Sequence, residues 1–310
     1  MSSKNTSSKT ILASTKTKTQ KLSKDFSLFL NSKSKIESPY NKIVLFSSFL
    51  LLIIGIYFLS VFHNDFEQFS ANKASTTLGY TFIVIAIGLF IFKAAFFVFK
   101  AYNYLKYKPI EAVSNKELPT ITVIVPAYNE GKQVWDTLMS LDNSNYPKHK
   151  IQIISIDDGS KDDTWSWMLD AKDKLGHRLE IYQQPENQGK RHALYRGFNL
   201  GTGDIYVTVD SDSIVTEDTL RNLVSPFIKD EQCGAVAGNI RVLNNKKEML
   251  PKMLDVSFVM SFEFVRSAES NLNSVLCTPG ALAAYRSTAV HQCLPQWINQ
   301  TFMGKASDIG

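Results

Sequence analysis

A regular alternation of strand-like and helix-like segments, which begins at Leu118, constrains the fold of this chain most strongly. Five short runs rich in apolar and β-branched residues predict strands, at 121–125, 151–156, 179–182, 205–209 and 235–238. Segments of helical character separate them, at 132–141, 164–175 and 191–200. Ser160 and Asp163 resemble a capping box at the start of the second of these helices. Strand–helix–strand units make right-handed crossovers, so the pattern predicts an α/β fold with a mostly parallel sheet.

A polar motif follows each of the first four predicted strands, at the edge where such sheets bind ligands. The motifs are Pro-Ala-Tyr-Asn-Glu at 126–130, Asp-Asp-Gly-Ser at 157–160, Gln-Gly-Lys-Arg at 188–191 and Asp-Ser-Asp at 210–212. Each motif alone also fits an ordinary turn, a capped helix entry or a solvated basic face. Because all four fall at one edge, the sequence favours a shared binding site.

The chemistry of these side chains suits a nucleotide diphosphate. Asp210 and Asp212 offer two carboxylate ligands to a hard divalent cation and leave room for water and phosphate. A carboxylate after the second strand can accept hydrogen bonds from a base or ribose, and Tyr128 can stack on the base. Lys190 and Arg191 can neutralise a pyrophosphate.

The glycines of the chain do not form a phosphate-binding loop. Gly197, Gly201 and Gly203 lack the GxGxxG spacing and precede a strand, so they are predicted to end a helix and make a turn. A Rossmann dinucleotide site is therefore not supported.

Two long apolar runs precede the alternating region. Residues 43–62 carry no charge, and twenty helical residues span about 30 Å, the thickness of a bilayer core. Residues 78–99 form a second run, interrupted only by Lys93, whose stem can reach the headgroups. The two runs predict a transmembrane hairpin, followed by a linker at 100–117 and a soluble domain at 118–310.

The charges predict the orientation of this hairpin. Residues 1–42 carry nine lysines against Asp25 and Glu37, and the segment after the second run is also basic, whereas the short connection between the runs is not. The positive-inside rule places the N-terminus and the soluble domain in the cytoplasm, under a multi-pass inner or plasma membrane. The tail at 1–42 is predicted to be disordered. Its lysines are dispersed without interleaved aromatic residues, so no nucleic-acid partner is expected.

Two further groups of apolar residues are predicted to pack rather than to bind. Trp165 and Trp167 lie on a predicted crossover helix, with sugar stacking as the alternative. The apolar residues of 249–264 recur at helical spacing, which predicts core or membrane-interface packing, with a wall of an acceptor site as the alternative. The three cysteines show no metal-ligand spacing and indicate neither a zinc site nor a disulfide framework.

The motifs VPAYNE, IDDGS, QGKRHAL, VDSDS and CTPGALAAYR occur in this order, and over residues 121–310 the chain resembles family 2 glycosyltransferases. With the two apolar runs, it is similar to the membrane-embedded processive synthases of the hyaluronan, chitin and Nod-factor chitooligosaccharide type. The resemblance implies a nucleotide-diphosphosugar transferase (GT-A) fold. It also implies inverting transfer from a UDP-sugar to a carbohydrate acceptor.

The resemblance implies a role for each matching residue. Tyr128, Glu130 and Asp158 would hold the uridine, and Lys190 and Arg191 would lie by the diphosphate and donor sugar. Asp210 and Asp212 would hold Mg²⁺ or Mn²⁺, and Cys277 and Gly280 would form the acceptor side.

Three elements of the family pattern are not found among the 310 residues. The catalytic base is expected in an acidic-Asp-Arg motif directly after Asp308-Ile309-Gly310, and the QxxRW motif and later spans are also expected beyond it. The soluble domain is therefore expected to be C-terminally incomplete, and the chain to bind its donor without elongating a polymer. Two alternatives stay open: a membrane-tethered UDP-sugar-binding module, and a non-processive transferase acting on a lipid carrier.

Overall fold

The computed structural model describes residues 50, 53–55, 57, 77–243, 249–302 and 305–306, which fall into two units, one up to Ile91 and one from Phe92. The first predicted span, 43–62, lies mostly outside the described residues. Helix α1, Thr77–Lys106, contains the second predicted span and continues seven residues beyond it. Its stretch Thr81–Lys106 is long and apolar enough to cross a membrane. The two-helix hairpin itself remains a prediction.

The unit from Phe92 is built on a six-stranded sheet. Its strands are β1 Ile121–Ala127, β2 Ile151–Asp157, β3 Leu179–Gln183, β4 Ile205–Val209, β5 Ala235–Ala237 and β6 Leu282–Arg286. The helices after α1 are α2 Gln133–Asp142, α3 Thr164–Leu175, α4 Lys190–Leu200, α5 Thr219–Lys229, α6 Met249–Phe258, α7 Arg266–Ser270 and α8 Ser287–Ile298. Short 3₁₀ turns lie at Lys148–Lys150 and Gly176–Arg178, a π-helical stretch lies at Val259–Val265, and a ribbon pairs β7 Thr301–Phe302 with β8 Lys305–Ala306.

The strand order is β3-β2-β1-β4-β6-β5, and the three pairings among the first four strands are parallel. The α/β prediction is therefore confirmed, with strand bounds within two residues of those expected. Strand β6 was not predicted, and it runs antiparallel to both β4 and β5. Its sequence, Leu-Ala-Ala-Tyr-Arg, contains no β-branched residue, so its local preference for extended structure is weak. Pairing with β4, a tertiary contact, determines the strand.

The core lies on both faces of the sheet. All seven residues of β1 are buried, as expected for a central parallel strand covered by helices on each side. Trp165 and Trp167 are partly buried and pack against this core, which confirms the packing prediction. Gly197 lies inside α4 rather than at its end, and a Cβ atom there would lie 2.4 Å from Cγ2 of Ile124. The helix-end prediction for Gly197 is therefore wrong, because this glycine allows α4 to approach β1 closely.

The predicted capping box at the start of α3 is also absent from the described structure. The side chain of Asp163 makes no capping bond and instead accepts a hydrogen bond from Nε1 of Trp167 at 2.9 Å. The Ser160 hydroxyl accepts a hydrogen bond from the Asn129 amide at 2.9 Å. Ser160 therefore stabilises the neighbouring turn after β1 and does not cap α3.

The segment 249–264 does not contribute to the described core. Met253, Val256 and Met260 are 59%, 64% and 47% exposed. The helical spacing is confirmed. Of the two kinds of packing expected for this segment, core packing is not found among the described residues, and membrane-interface packing stays a prediction, because a periodic pattern does not identify what covers the apolar side.

Candidate functional site

The turns that follow β1 and β2 hold each other at the edge of the sheet. The amides of Glu130 and Gly131 both donate to the hydroxyl of Thr164, at 2.9 and 2.8 Å. The side-chain oxygen of Asn129, a residue with φ of 55°, accepts from the amide of Lys161 at 2.8 Å. These bonds fix the backbone that follows Tyr128, a residue 40% exposed at the edge.

Asp158 lies directly after β2 and is almost fully buried. Its carboxylate accepts hydrogen bonds from the amides of Gln188 and Gly189, at 3.0 and 2.8 Å, and from the side-chain amide of Gln184. A Cβ on Gly159 would lie 2.6 Å from the backbone of Glu186, so the turn and the following loop are in close contact. Asp158 therefore connects the end of β2 to the loop that leads into α4.

The Asp-Ser-Asp turn after β4 is held from two sides. The amide of Asp210 donates to the carbonyl oxygen of Ala281 at 3.2 Å, which ties the turn to the segment before β6. The hydroxyl of Thr137 in α2 donates to the carbonyl oxygen of the buried Ser211 at 2.7 Å. The side chain between the two aspartates is thus turned inward.

Lys190, the first residue of α4, contacts Asp210 through an ion pair between Nζ and Oδ1. A Cβ on Gly280 would lie 3.3 Å from the same Nζ atom, so the Cys-Thr-Pro-Gly segment reaches this end of the site. Arg191 is buried and is not among the residues that line the cleft described below. Cys277 is exposed, and its carbonyl oxygen accepts a hydrogen bond from Nε of Arg266 at 3.0 Å.

The acidic side chains are close enough to influence one another. Burial, together with the negative charges of Asp212, Asp210 and Asp162, raises the pKa of Glu130, and the charge of Lys190 opposes the shift. The site therefore accumulates negative charge that Lys190 offsets only in part.

Two neighbouring clefts open at this edge, and Tyr128 lines both. The first, of about 260 Å³, is lined by Tyr128, Glu130, Asp158, Lys190, Asp210 and Asp212 together with Pro126, Ala127, Asn187, Gly189 and Ser211. The second, of about 420 Å³, lies between Gly159–Lys161 and Gln183–Asn187. Six of the seven donor-side and metal-ligating residues predicted from the sequence therefore meet in one cleft, and Arg191 does not.

The chemistry of the first cleft suits a divalent cation. Two carboxylates at i and i+2 supply oxygen ligands, and the ammonium group of Lys190 already neutralises one of them. Within the described ranges, no set of three or more His, Cys, Asp or Glu side chains is arranged to enclose a metal ion. A cation held by Asp210 and Asp212 would thus retain coordination positions for water and phosphate.

Sequence reasoning missed the loop that forms the second cleft. Gln183 to Asn187 line it, and Gln184 also holds Asp158. A signal was present, because the polar run Gln-Gln-Pro-Glu-Asn-Gln follows β3 at the same edge as the other motifs.

The sheet order, the crossover helices and the polar clefts beyond the carboxyl ends of β1, β2 and β4 define a glycosyltransferase domain of the GT-A type. Residues 122–294 match the family described as Glycosyl transferase family 2. The chain belongs to this family.

Relatives and a solved structure agree with this assignment. An N-acetylglucosaminyltransferase of Rhizobium meliloti is 32% identical over 201 residues, which cover 64% of this chain and 47% of the relative. A hyaluronan synthase of Streptococcus pyogenes serotype M3 is 27% identical over 237 residues, covering 74% and 55%. The chain thus spans about half the length of the curated relatives it matches. The mannosyltransferase PcManGT from Pyrobaculum calidifontis, in complex with GDP-Man and Mn²⁺, aligns with a TM-score of 0.53 and 27% identity over 68% of this chain and 57% of that one.

Proposed function

We propose that this chain provides the donor-binding part of a membrane-bound transferase that adds sugars from a UDP-sugar to the end of a growing polysaccharide. One observation carries the proposal: Asp210, Asp212 and Lys190 face the same cleft as Tyr128, which continues into a second cleft. A diphosphate fits the charged end, and a nucleoside fits the end beyond Tyr128. The relative named N-acetylglucosaminyltransferase supports UDP-N-acetylglucosamine as the donor.

The side chains of the first cleft have complementary tasks in this proposal. Tyr128 stacks on the base. Lys190 gives up its ion pair with Asp210 and pairs with the diphosphate instead. Mg²⁺ or Mn²⁺, held by Asp210 and Asp212, would neutralise the charge that develops on the departing diphosphate. A Cβ on Gly280 would lie 3.3 Å from Nζ of Lys190, which supports an acceptor side next to the donor phosphates.

The proposed transfer inverts the configuration of the donor sugar. An acceptor hydroxyl attacks C1, the bond from C1 to the UDP oxygen breaks, and UDP leaves with the bonding electrons. The proton of the attacking hydroxyl passes to a general base.

The proposal is tested by titrating UDP into the purified chain by calorimetry, with Mn²⁺ or with a chelator. Without a cation, a diphosphate would lie beside two carboxylates of the same charge, so we expect affinity to fall at least tenfold in chelator. Asp212→Asn should lose the same amount in Mn²⁺. Asp170→Asn, an exposed aspartate of α3, is the matched control and should bind like the wild-type chain.

Equal UDP affinity in Mn²⁺ and chelator would contradict the metal site.

A further inference from the structure

Helix α6 and the π-helical stretch after it expose a continuous apolar surface. We define the outer face as Met249, Leu250, Met253, Leu254, Val256 and Met260, all of them exposed. Four of these residues recur at i, i+4, i+7 and i+11, so they lie along one side of the helical segment.

The acidic residues of the same segment point the other way, whereas Lys252 of α6 is exposed. Arg241 makes a two-pronged ion pair with Asp255, with Nε and Nη2 at 2.9 and 2.8 Å from the two carboxylate oxygens. Nη1 of Arg241 also lies 3.7 Å from the carboxylate of Glu263. The side chain of Asp255 is only 13% exposed in this arrangement. Both acidic groups thus face the protein, while the methionines and leucines face outward.

This arrangement reverses the usual polarity of a surface helix. In water, an amphipathic helix turns its apolar side to the core and its charges to the solvent. Contiguous exposed apolar surface of this extent marks a contact with a membrane or another protein. The outer face therefore has an apolar occupant.

The same segment is attached to the end of the membrane-spanning candidate α1. The ring of Phe264 lies 5.8 Å from that of Phe97 and 5.2 Å from that of Tyr104. Lys100 pairs with Glu269 at 3.1 Å, and the side-chain amide of Asn271 in the following turn donates to Asn103 at 3.0 Å. The polar contacts hold the last two turns of α1, while Phe96, Val98 and Phe99 of the preceding turns stay exposed.

We propose that the outer face lies in the interfacial layer of a lipid bilayer, with the side chains of α6 inserted at the boundary between headgroups and acyl chains. The outer face continues the apolar surface of α1: a bilayer that surrounds the exposed phenylalanines of α1 would end where α1 meets the segment that carries the outer face. A helix with apolar residues toward the acyl chains and its acidic groups turned away has the polarity required of an interfacial helix, and the stem of the exposed Lys252 can reach the headgroups. This inference goes beyond the proposed reaction and does not depend on it.

The test measures the contact of single positions with lipid. Met253→Cys and Val256→Cys are each made in the full chain with Cys233, Cys277 and Cys293 replaced by Ser, labelled with a fluorophore and reconstituted in phosphatidylethanolamine–phosphatidylglycerol vesicles. Quenching by lipids spin-labelled near the headgroup is recorded. Val98→Cys in α1 serves as the bilayer control. Leu169→Cys, on an exposed leucine of α3, serves as the solvent control, and thermal unfolding verifies that each variant is folded.

We expect the two outer-face positions to be quenched at least threefold more strongly than position 169. Quenching equal to that of position 169, with position 98 strongly quenched, would overturn the proposal while leaving α1 in the bilayer. A blue-shifted but unquenched fluorophore would also overturn it, because another protein surface would then cover the outer face. No quenching at position 98 would remove the bilayer argument altogether.

Discussion

The carboxylate of Asp158 is surrounded by protein donors in the described structure. The family resemblance assigns this residue to the uridine, yet two backbone amides and the side chain of Gln184 already bond to it. A buried carboxylate that accepts several amide hydrogen bonds fixes the backbone around it, because each hydrogen bond to a charged group contributes about 1.5–3 kcal/mol. We infer that Asp158 also positions the loop before α4, and with it Lys190.

Asp158→Ala is therefore expected to weaken binding of both UDP and inorganic pyrophosphate, each measured with Mn²⁺, by about tenfold or more. A residue that only contacted the base would affect UDP and leave pyrophosphate unchanged. Gln184→Met removes a single donor of similar size and should cause a smaller loss for both ligands. Unchanged pyrophosphate affinity in Asp158→Ala would contradict the positioning role.

The location of the candidate site could be predicted from sequence, but its internal contacts could not. Parallel strands place their carboxyl ends at one edge, so Tyr128, Asp158 and Asp210 were expected to meet. Arg191 was expected in the same cleft because it follows Lys190 in the sequence. It does not line the cleft, because neighbouring residues of a helix point in different directions. The bonds of Asp158 depend on a loop fold that no local pattern encodes.

At the scale of elements, the contact between the turn after β1 and the start of α3 depends on an ionised side chain. Burial alone would raise the pKa of Asp162, but hydrogen bonds from the Thr164 hydroxyl and amide and from the Gly131 amide outweigh it and lower the pKa. The folded state thus favours the charged form. The ionised carboxylate of Asp162 makes its full contribution to stability above the ordinary pKa of 3.8. This contribution is lost as the pH falls through the lower pKa of the folded state.

Asp162→Asn is accordingly expected to unfold at a lower temperature than the wild-type chain at pH 6, with a difference that shrinks as the pH approaches 3. Because Asp162 is largely solvated, the effect should be small. Thermal unfolding followed by circular dichroism at several pH values gives the comparison. A constant difference across this range would show that the charge of Asp162 is not involved, and Asp170→Asn should show no difference at any of these values.

Because α4 approaches β1 closely, we expect replacement of a glycine by alanine there to lower the free energy of unfolding, the reverse of the usual effect in a helix. Alanine in a helix interior is normally favoured over glycine by about 1 kcal/mol. In Gly197→Ala the new methyl group would overlap Cγ2 of the fully buried Ile124, and overpacking costs roughly 1–3 kcal/mol. We expect a net loss of about 1 kcal/mol in the free energy of unfolding, measured in urea. Gly234→Ala, where no atom lies within 4 Å, should be neutral, and a stabilised Gly197→Ala would refute the packing argument.

Elements with strong local preferences were predicted well, whereas those defined by tertiary contacts were not. The strands β1 to β4 are dense in valine and isoleucine, and periodicity locates them within two residues. Strand β6 exists because β4 offers it a free edge. The helical periodicity of the outer face of α6 was predicted correctly. What contacts this face could not be predicted, because that depends on the whole molecule.

At the scale of the whole molecule, the sequence predicts that the transferase domain faces the cytoplasm. Cys277 and Cys293 are exposed, so they report the side on which the domain lies without any substitution. In intact cells, a membrane-impermeant maleimide is expected not to label them, and permeabilisation should allow labelling. Ser70→Cys, placed in the predicted connection between the two spans, is the opposite control and should react in intact cells. Labelling of Cys277 or Cys293 before permeabilisation would contradict the orientation.

The position of β6 in the sheet has a consequence for biosynthesis. Strand β4 ends at Val209, but its partner on one side is complete only at Arg286. Ribosomes add about 5–20 residues per second, so that edge of β4 remains unpaired for on the order of ten seconds in each round of translation. An unpaired edge of Ile, Tyr, Val, Thr and Val is a template for non-native pairing with other chains. Synthesis of this protein therefore passes through a nascent state in which one edge of β4 is open to non-native pairing.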